Sequence, residues 1–156
     1  MVVYPEKEMR VKKIQRGTVI DHIPKGQALN VMKILNLAEH PDPVTIAINV
    51  ESGKHGQKDI IKVENRELSP GEVDKIALIA PYATINIIRD YKVVEKKQVS
   101  LPREIHGIVR CANPNCITNS REPAKTGFTI EKATPLLLRC KYCDRTMSQQ
   151  DVIDQF

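Results

Sequence analysis

The sequence predicts an α+β protein in two parts: an N-terminal antiparallel sheet with two helices on one face, then a small metal-bound β domain. Three observations predict it. Short β-branched runs and two amphipathic helical runs alternate before residue 100. The run Ser100-Leu101-Pro102-Arg103 interrupts the pattern with a proline. All four cysteines lie beyond that break, as two pairs.

The first part reads as 1–100. Met9 to Ile14 and Thr18 to Ile23 have strand character, with Arg16-Gly17 between them. Ala28, Leu29, Val31, Met32, Leu35 and Ala38 recur at helical spacing, until His40-Pro41-Asp42-Pro43 breaks the run. Val44 to Val50 and Asp59 to Val63 read as two strands of a hairpin. Ser69-Pro70-Gly71-Glu72 supplies an N-cap serine, a proline at the first helical position and a capping-box glutamate. Val73, Ile76, Ala77 and Ala80 form the stripe of that helix, and Pro81 stops it. Ala83 to Ile88 and Tyr91 to Glu95 close the part with two strands across Arg89-Asp90. Grouping adjacent short strands, the order is β-α-β-β-α-β, the split arrangement of a ferredoxin-like sandwich.

The second part reads as 101–156. Short strands at Gly107 to Arg110, Phe128 to Lys132 and Leu136 to Arg139 alternate with the cysteine turns, and a brief helix follows at Ser148 to Ile153. Cys111 and Cys116 close C-A-N-P-N-C; Cys140 and Cys143 close C-K-Y-C. Two such turns aim four thiolates at one tetrahedral Zn²⁺, at roughly 2.3 Å each. The alternative is two disulfides in a secreted domain. The opening M-V-V-Y-P-E-K-E lacks the apolar core of a secretory signal, so the expectation is reduced thiols, structural zinc and a cytoplasmic protein. A segment this small has little core, and metal supplies stability that burial cannot.

Charge bears on partners. The chain carries +5 overall. Residues 1–100 hold 16 basic and 13 acidic side chains, and residues 101–156 hold 8 and 6. Four thiolates around one Zn²⁺ bring the second part near zero, a poor match for a phosphate backbone. It has no Trp, and only Phe128, Tyr142 and Phe156 as aromatics. A stand-alone zinc-ribbon nucleic-acid binder is therefore the competing reading rather than the expected one. No apolar run approaches the ~20 residues of a membrane span. A zinc ion held by four cysteines has no open coordination position for catalysis.

Asp21-His22 are strand neighbours pointing to opposite faces, so they form no acid–base pair, though contact with a ligand stays open. Gly53-Lys54-His55-Gly56 has the G-x-x-G of a KH loop but joins two strands, and Gly56-Gln57-Lys58-Asp59 fails the phosphate-loop pattern. Lys58 and Lys62 share a strand face, Asn86 and Ile88 share another, and Lys92, Lys96 and Lys97 follow. Those residues read as a solvated sheet face or as a seat for an anion with a planar attachment, such as a nucleotide. His22, His40, His55 and His106 are scattered, and no catalytic pair emerges.

Five segments carry a family resemblance: R-G-T-V-I-D-H-I-P from Arg16, S-G-x-x-G-x-K-D-x-I-K-x-E-N from Ser52, A-P-x-A-T-x-N-x-I from Ala80, C-x-N-x-N-C-I from Cys111, and C-K-Y-C. Together they resemble the regulatory chain of aspartate carbamoyltransferase. The resemblance implies a non-catalytic allosteric subunit in pyrimidine biosynthesis. Its 1–100 domain would bind CTP, UTP or ATP and form a homodimer; its 101–156 zinc domain would dock on the catalytic chain, in an assembly of two catalytic trimers and three regulatory dimers. It implies a base read by main-chain groups of Ile14 and Tyr91, with Val19, Ile88 and Val93 lining the slot. Asp21 and Lys62 would hold the ribose, and His22, Lys58, Lys96 and Asn86 would surround the phosphates. The cysteine turns would present Asn113, Asn115, Lys141, Tyr142 and Asp144 to the catalytic chain, since side chains on metal-fixed turns bind at low ordering cost. Lys12 stands where the best-known members carry an acidic residue, and residues 1–10 match poorly; the sign of each nucleotide's effect stays open.

Overall fold

The computed structural model describes residues 13–53 and 56–156. The strand expected at Met9 to Ile14 and the divergent Lys12 fall mostly outside them, and Lys13 and Ile14 lie in no strand. Lys54 and His55 are likewise outside.

Among the described residues, five strands build the first sheet: β1 (Gly17–Pro24), β2 (Val44–Ser52), β3 (Gly56–Glu64), β4 (Thr84–Arg89) and β5 (Lys92–Gln98). They are ordered β2-β3-β1-β4-β5, every pair antiparallel. This is the expected α/β sandwich, with β5 added at one edge. Register divides its faces. Ile46, Ile61, Ile20 and Ile85 stand in one cross-strand row, and Val44, Val63, Thr18 and Ile87 in the next. Of these, Ile20, Ile61, Val63, Ile85 and Ile87 are buried in the core with α1 (Ala28–Ile34) and α2 (Pro70–Ile79).

β1 begins at a glycine because nothing larger fits. Gly17 has φ +144°, and a Cβ there would lie 2.0 Å from the Val63 carbonyl oxygen. α2 starts as its sequence dictates: Ser69 accepts from the Glu72 N–H while the Glu72 side chain accepts from the Ser69 N–H, with Pro70 at the first turn. α1 is shorter than its periodicity suggests. Asn36 adopts the left-handed conformation at φ +54°, which Asn tolerates, and the chain resumes as a 3-10 turn over Leu37–Glu39. Leu29, expected in the buried stripe, is 55% exposed.

One hairpin connection is shorter than expected and the other keeps its length but shifts by one residue. Ser52 pairs with Gly56, so three residues join β2 and β3. The β4–β5 turn is Asp90-Tyr91, both at positive φ, and not Arg89-Asp90.

The second sheet is β6 (Glu104–His106), β7 (Gly127–Ala133), β8 (Leu136–Cys140) and β9 (Thr146–Ser148), in that order and antiparallel. Its first strand precedes the expected Gly107 to Arg110, because Gly107 turns the chain at φ +68°. β9 was not anticipated; Ser148 ends it and caps α3 (Gln149–Ile153) with Asp151.

The two parts touch through the helices. α3 packs on α1, the Gln149 amide donates to the Leu78 and Ile79 carbonyls at 3.3 and 3.5 Å, and the Lys75 ammonium lies 5.6 Å from the Phe156 ring centre. Among the described residues, no helix is long and apolar enough to cross a membrane.

Candidate functional site

The metal centre follows from the two cysteine turns. All four Sγ atoms of Cys111, Cys116, Cys140 and Cys143 lie within 4.8 Å of one another. Cys111 and Cys143 are 3.6 Å apart, and Cys116 and Cys140 are 3.8 Å apart. A tetrahedron with metal–sulfur bonds of ~2.3 Å has edges of ~3.8 Å, so the donors fit one four-coordinate ion. None is in a disulfide.

The surroundings suit thiolate. The Thr118 hydroxyl donates to Cys116 Sγ at 3.2 Å and the Asn113 N–H to Cys111 Sγ at 3.5 Å. The Asn119 amide donates to the carbonyls of Cys111 and Asn113, at 2.9 and 2.8 Å, and locks the first turn. Burial pushes the Cys111 thiol up to about 12 and raises Cys140 as well. Cys143 is lowered to about 7, chiefly by a hydrogen bond from the Arg145 backbone. A bound cation reverses the unfavourable ionisation of the buried pair.

Thr118 and Asn119 went unread in the sequence. Asparagine or threonine within a few residues of a cysteine turn is the only signal they carry.

Around the centre, Asn115, Lys141, Tyr142 and Asp144 are exposed or half-buried, and Asn113 is half-buried. The Asn115 N–H donates to Asn113 Oδ1, and Lys141 pairs with Glu104 at 2.7 Å, which with His106 holds the Glu104 carboxyl below its usual range. The Asp144 carbonyl accepts from Arg139. Ile117, also in this region, is exposed and was not singled out.

The second candidate site is the sheet face away from the helices. Register sets Thr45, Lys62, Val19, Asn86 and Lys96 in one row across all five strands. The next row holds Asp21, Thr84 and Gln98, and the row on the other side holds Gly17, Ile88 and Val93. Lys97 belongs to the opposite face, beside Ile85, and pairs with Glu95 at 3.0 Å.

Asp21 is the hub of this face. Its carboxylate holds the Lys58 ammonium at 2.9 Å. Burial lowers the Lys62 pKa, opposed by the Asp21 charge and assisted by Lys13. The β1–β3 register slips between Ile20 and Ile23, and His22 sits in that bulge at φ +57°, its Nδ1 3.1 Å from the Thr84 hydroxyl. An open cleft of about 990 Å³ adjoins the face, lined by His22, Lys25, Ser52, Gln57, Lys58, Tyr82, Thr84, Lys96 and Gln98.

Near the other end, Ile14 is buried and Tyr91 is 58% exposed. The Tyr91 N–H donates to the Gln15 carbonyl at 3.0 Å. His40 bonds the Glu64 carbonyl at 2.7 Å and His106 bonds Glu104, so these two stand apart from His22.

Asp59 was missed. It is fully buried and accepts from the N–H groups of Gly26, Ala28 and Asn49 at 2.9, 3.0 and 3.1 Å. One carboxylate thereby fixes the β1–α1 turn and the β2 bulge around Lys58. An acidic residue in an otherwise apolar strand run was the available signal.

An antiparallel α/β sandwich with an open polar face, joined to a four-cysteine β unit, defines a two-unit metal-binding chain. Residues 9–100 match the family described as aspartate carbamoyltransferase regulatory chain, allosteric domain, and residues 103–153 match its metal binding domain. The regulatory chain of Methanothermobacter thermautotrophicus is 55% identical over 149 residues, 96% of both chains. That of Thermofilum pendens is 56% identical over 153 residues, again 96% of both, and that of Thermococcus sibiricus 55% over 147, 94% of this chain and 97% of the relative. The chain belongs to the aspartate carbamoyltransferase regulatory chain family, a regulatory and non-catalytic subunit.

Proposed function

We propose that the chain binds nucleotide effectors on its open sheet face and passes their effect to catalytic trimers through a zinc-held docking surface. On this reading residues 1–100 form the effector domain and pair with a second regulatory chain, and residues 101–156 form the docking domain. CTP, UTP and ATP are the effectors, pyrimidine biosynthesis the pathway and the reducing cytoplasm the setting.

The observation that carries the reading is the cross-strand row of Lys62, Val19, Asn86 and Lys96. It sets two cations, an amide and an apolar side chain on one face, flanked by Asp21 and His22. A base enters between Val19, Ile88 and Val93. Because the Tyr91 N–H is engaged by Gln15, the base reads the Tyr91 carbonyl together with the main chain of Ile14. Asp21 and Lys62 hold the ribose, and His22, Lys58, Lys96 and Asn86 the phosphates. Lysine ammoniums suit phosphate oxygens as point charges.

Zn²⁺ fits the four-thiolate donor set best, being tetrahedral and redox-inert. Cys111, Cys116, Cys140 and Cys143 would hold it, and it would supply rigidity rather than chemistry. Asn113, Asn115, Lys141, Tyr142 and Asp144 then face the catalytic chain. Transmission requires that a nucleotide bind the low- and high-activity assemblies unequally; couplings of about 1–3 kcal/mol are usual. The α1–α3 packing and the Gln149 bonds to α2 give the effector unit a physical hold on the docking unit.

Calorimetric titration of the full chain with CTP tests this. Lys62→Ala and Lys96→Ala should each weaken binding about tenfold. Undiminished affinity in both moves the nucleotide off this face, and no binding by the wild type rejects the effector reading.

A further inference from the structure

The residues assigned to the nucleotide do not fill the cleft. Along β4 they run from Ile88 to Asn86 beside Thr84, and at ~3.3 Å per residue Ile88 and Thr84 stand about 13 Å apart. The cleft continues beyond Thr84 to Lys25 and Tyr82. Lys25 follows the last residue of β1, and Tyr82 precedes β4 by two residues. The two strands are antiparallel with Asp21 opposite Thr84, so both residues occupy the same end.

The turn that carries Lys25 is rigidly held. The Gln27 N–H donates to the Pro24 carbonyl at 3.0 Å, and the Gly26 N–H donates to the buried Asp59 carboxylate at 2.9 Å. Lys25 is exposed, and among the described residues no carboxylate pairs with it. Lys58, by contrast, already shares its charge with Asp21. Tyr82 is 66% exposed, a large aromatic at the cleft end. His22, Lys58 and Lys96, the proposed phosphate contacts, line the same cleft as Lys25 and Tyr82.

Resting on the nucleotide reading, we propose that Lys25 is the specificity-determining contact for the outermost phosphate, with the Tyr82 hydroxyl as a second donor. The cleft then distinguishes nucleoside triphosphates from di- and monophosphates. A fixed turn lowers the ordering cost of the contact. An uncompensated ammonium offers its whole charge to the phosphate that carries the most.

The test is calorimetry of the full chain with CMP, CDP and CTP at constant ionic strength. Lys25→Ala should weaken CTP about tenfold, as for a charge-assisted phosphate contact, and leave CMP unchanged. The preference for CTP over CDP should therefore collapse, and Lys25→Arg should retain most of it. Tyr82→Phe should reduce that preference by a smaller factor. Equal losses for all three nucleotides, or no loss for any, would overturn the assignment of Lys25 while wild-type CTP binding still stood. Failure of the wild type to bind CTP at all would reject the nucleotide reading and this inference together.

Discussion

The two halves of the chain reach a folded state by different means. The sandwich buries isoleucines from three strands against two helices, and its turns are held by hydrogen bonds such as those to Asp59. The cysteine unit has strands of three to seven residues and a small apolar set, with Phe128, Leu138 and Met147 at its centre. Its two cysteine turns converge on four sulfurs instead. Where apolar area is scarce, a few strong bonds to one ion replace many weak contacts. A unit built that way depends on solution chemistry in a manner the sandwich does not.

Metal removal should separate the halves most sharply. Structural Zn²⁺ contributes about 10 kcal/mol or more to folding of small domains. Stripping the metal with a chelator, or Cys140→Ser, should unfold residues 103–156 and leave the sandwich folded. Hydrogen exchange should show protection lost over β6 to α3, and also at the end of α2, where Gln149 no longer reaches Leu78 and Ile79. Retained protection in the cysteine unit without metal would break the comparison.

Metal affinity should also depend steeply on pH. An unfolded, metal-free unit has ordinary thiols, which titrate at ~8.5, so all four cysteines hold their protons below that pH. Binding must displace those protons, so each weakens affinity by up to about tenfold per pH unit lowered, and the four together by up to about ten-thousandfold. Competition with a metal indicator between about pH 6 and 8 measures this. A flat profile would show the thiols already ionised. Nucleotide-free stability of the sandwich should lack this metal dependence.

The reverse perturbation lies in the sandwich. Asp59→Ala leaves three backbone N–H groups without their acceptor, at a cost of about 3–5 kcal/mol. Chemical denaturation should show the sandwich weakened and metal retention unchanged. Gly17→Ala forces a Cβ against the Val63 carbonyl and costs about 2–4 kcal/mol, again without metal loss. The smallest effect belongs to the cysteine loop. Asn119→Ala removes two hydrogen bonds from the first turn and should cost about 1–2 kcal/mol, read as faster metal release to a chelator.

Legibility in the sequence tracked how local each determinant is. The capping box at Ser69 and the cysteine spacing are contained within a few residues, and both stand in the structure as read. The α1 boundary was misplaced because periodicity continues through Asn36, although its backbone turns left-handed there. The Gly107 to Arg110 strand was misplaced because β-branched residues fit a loop equally well once a glycine redirects the chain. Asp59 looked like one charge in a strand, because its three donors come from residues 10 to 33 positions away.

By itself, then, the sequence determined the α+β class, the helix start at Ser69, the two-part organisation and the four sulfur donors. Each is written in residue type and short-range spacing, which act before the chain is folded. Tertiary structure alone decided that Lys62, Val19, Asn86 and Lys96 form one row, and that Asp21 gathers Lys58 beside it. It alone placed Lys25 and Tyr82 at one end of a cleft. Register between strands far apart in sequence sets those neighbours. It is chosen by burial of the isoleucine rows on the opposite face, where a one-residue slip would turn every apolar side chain to water.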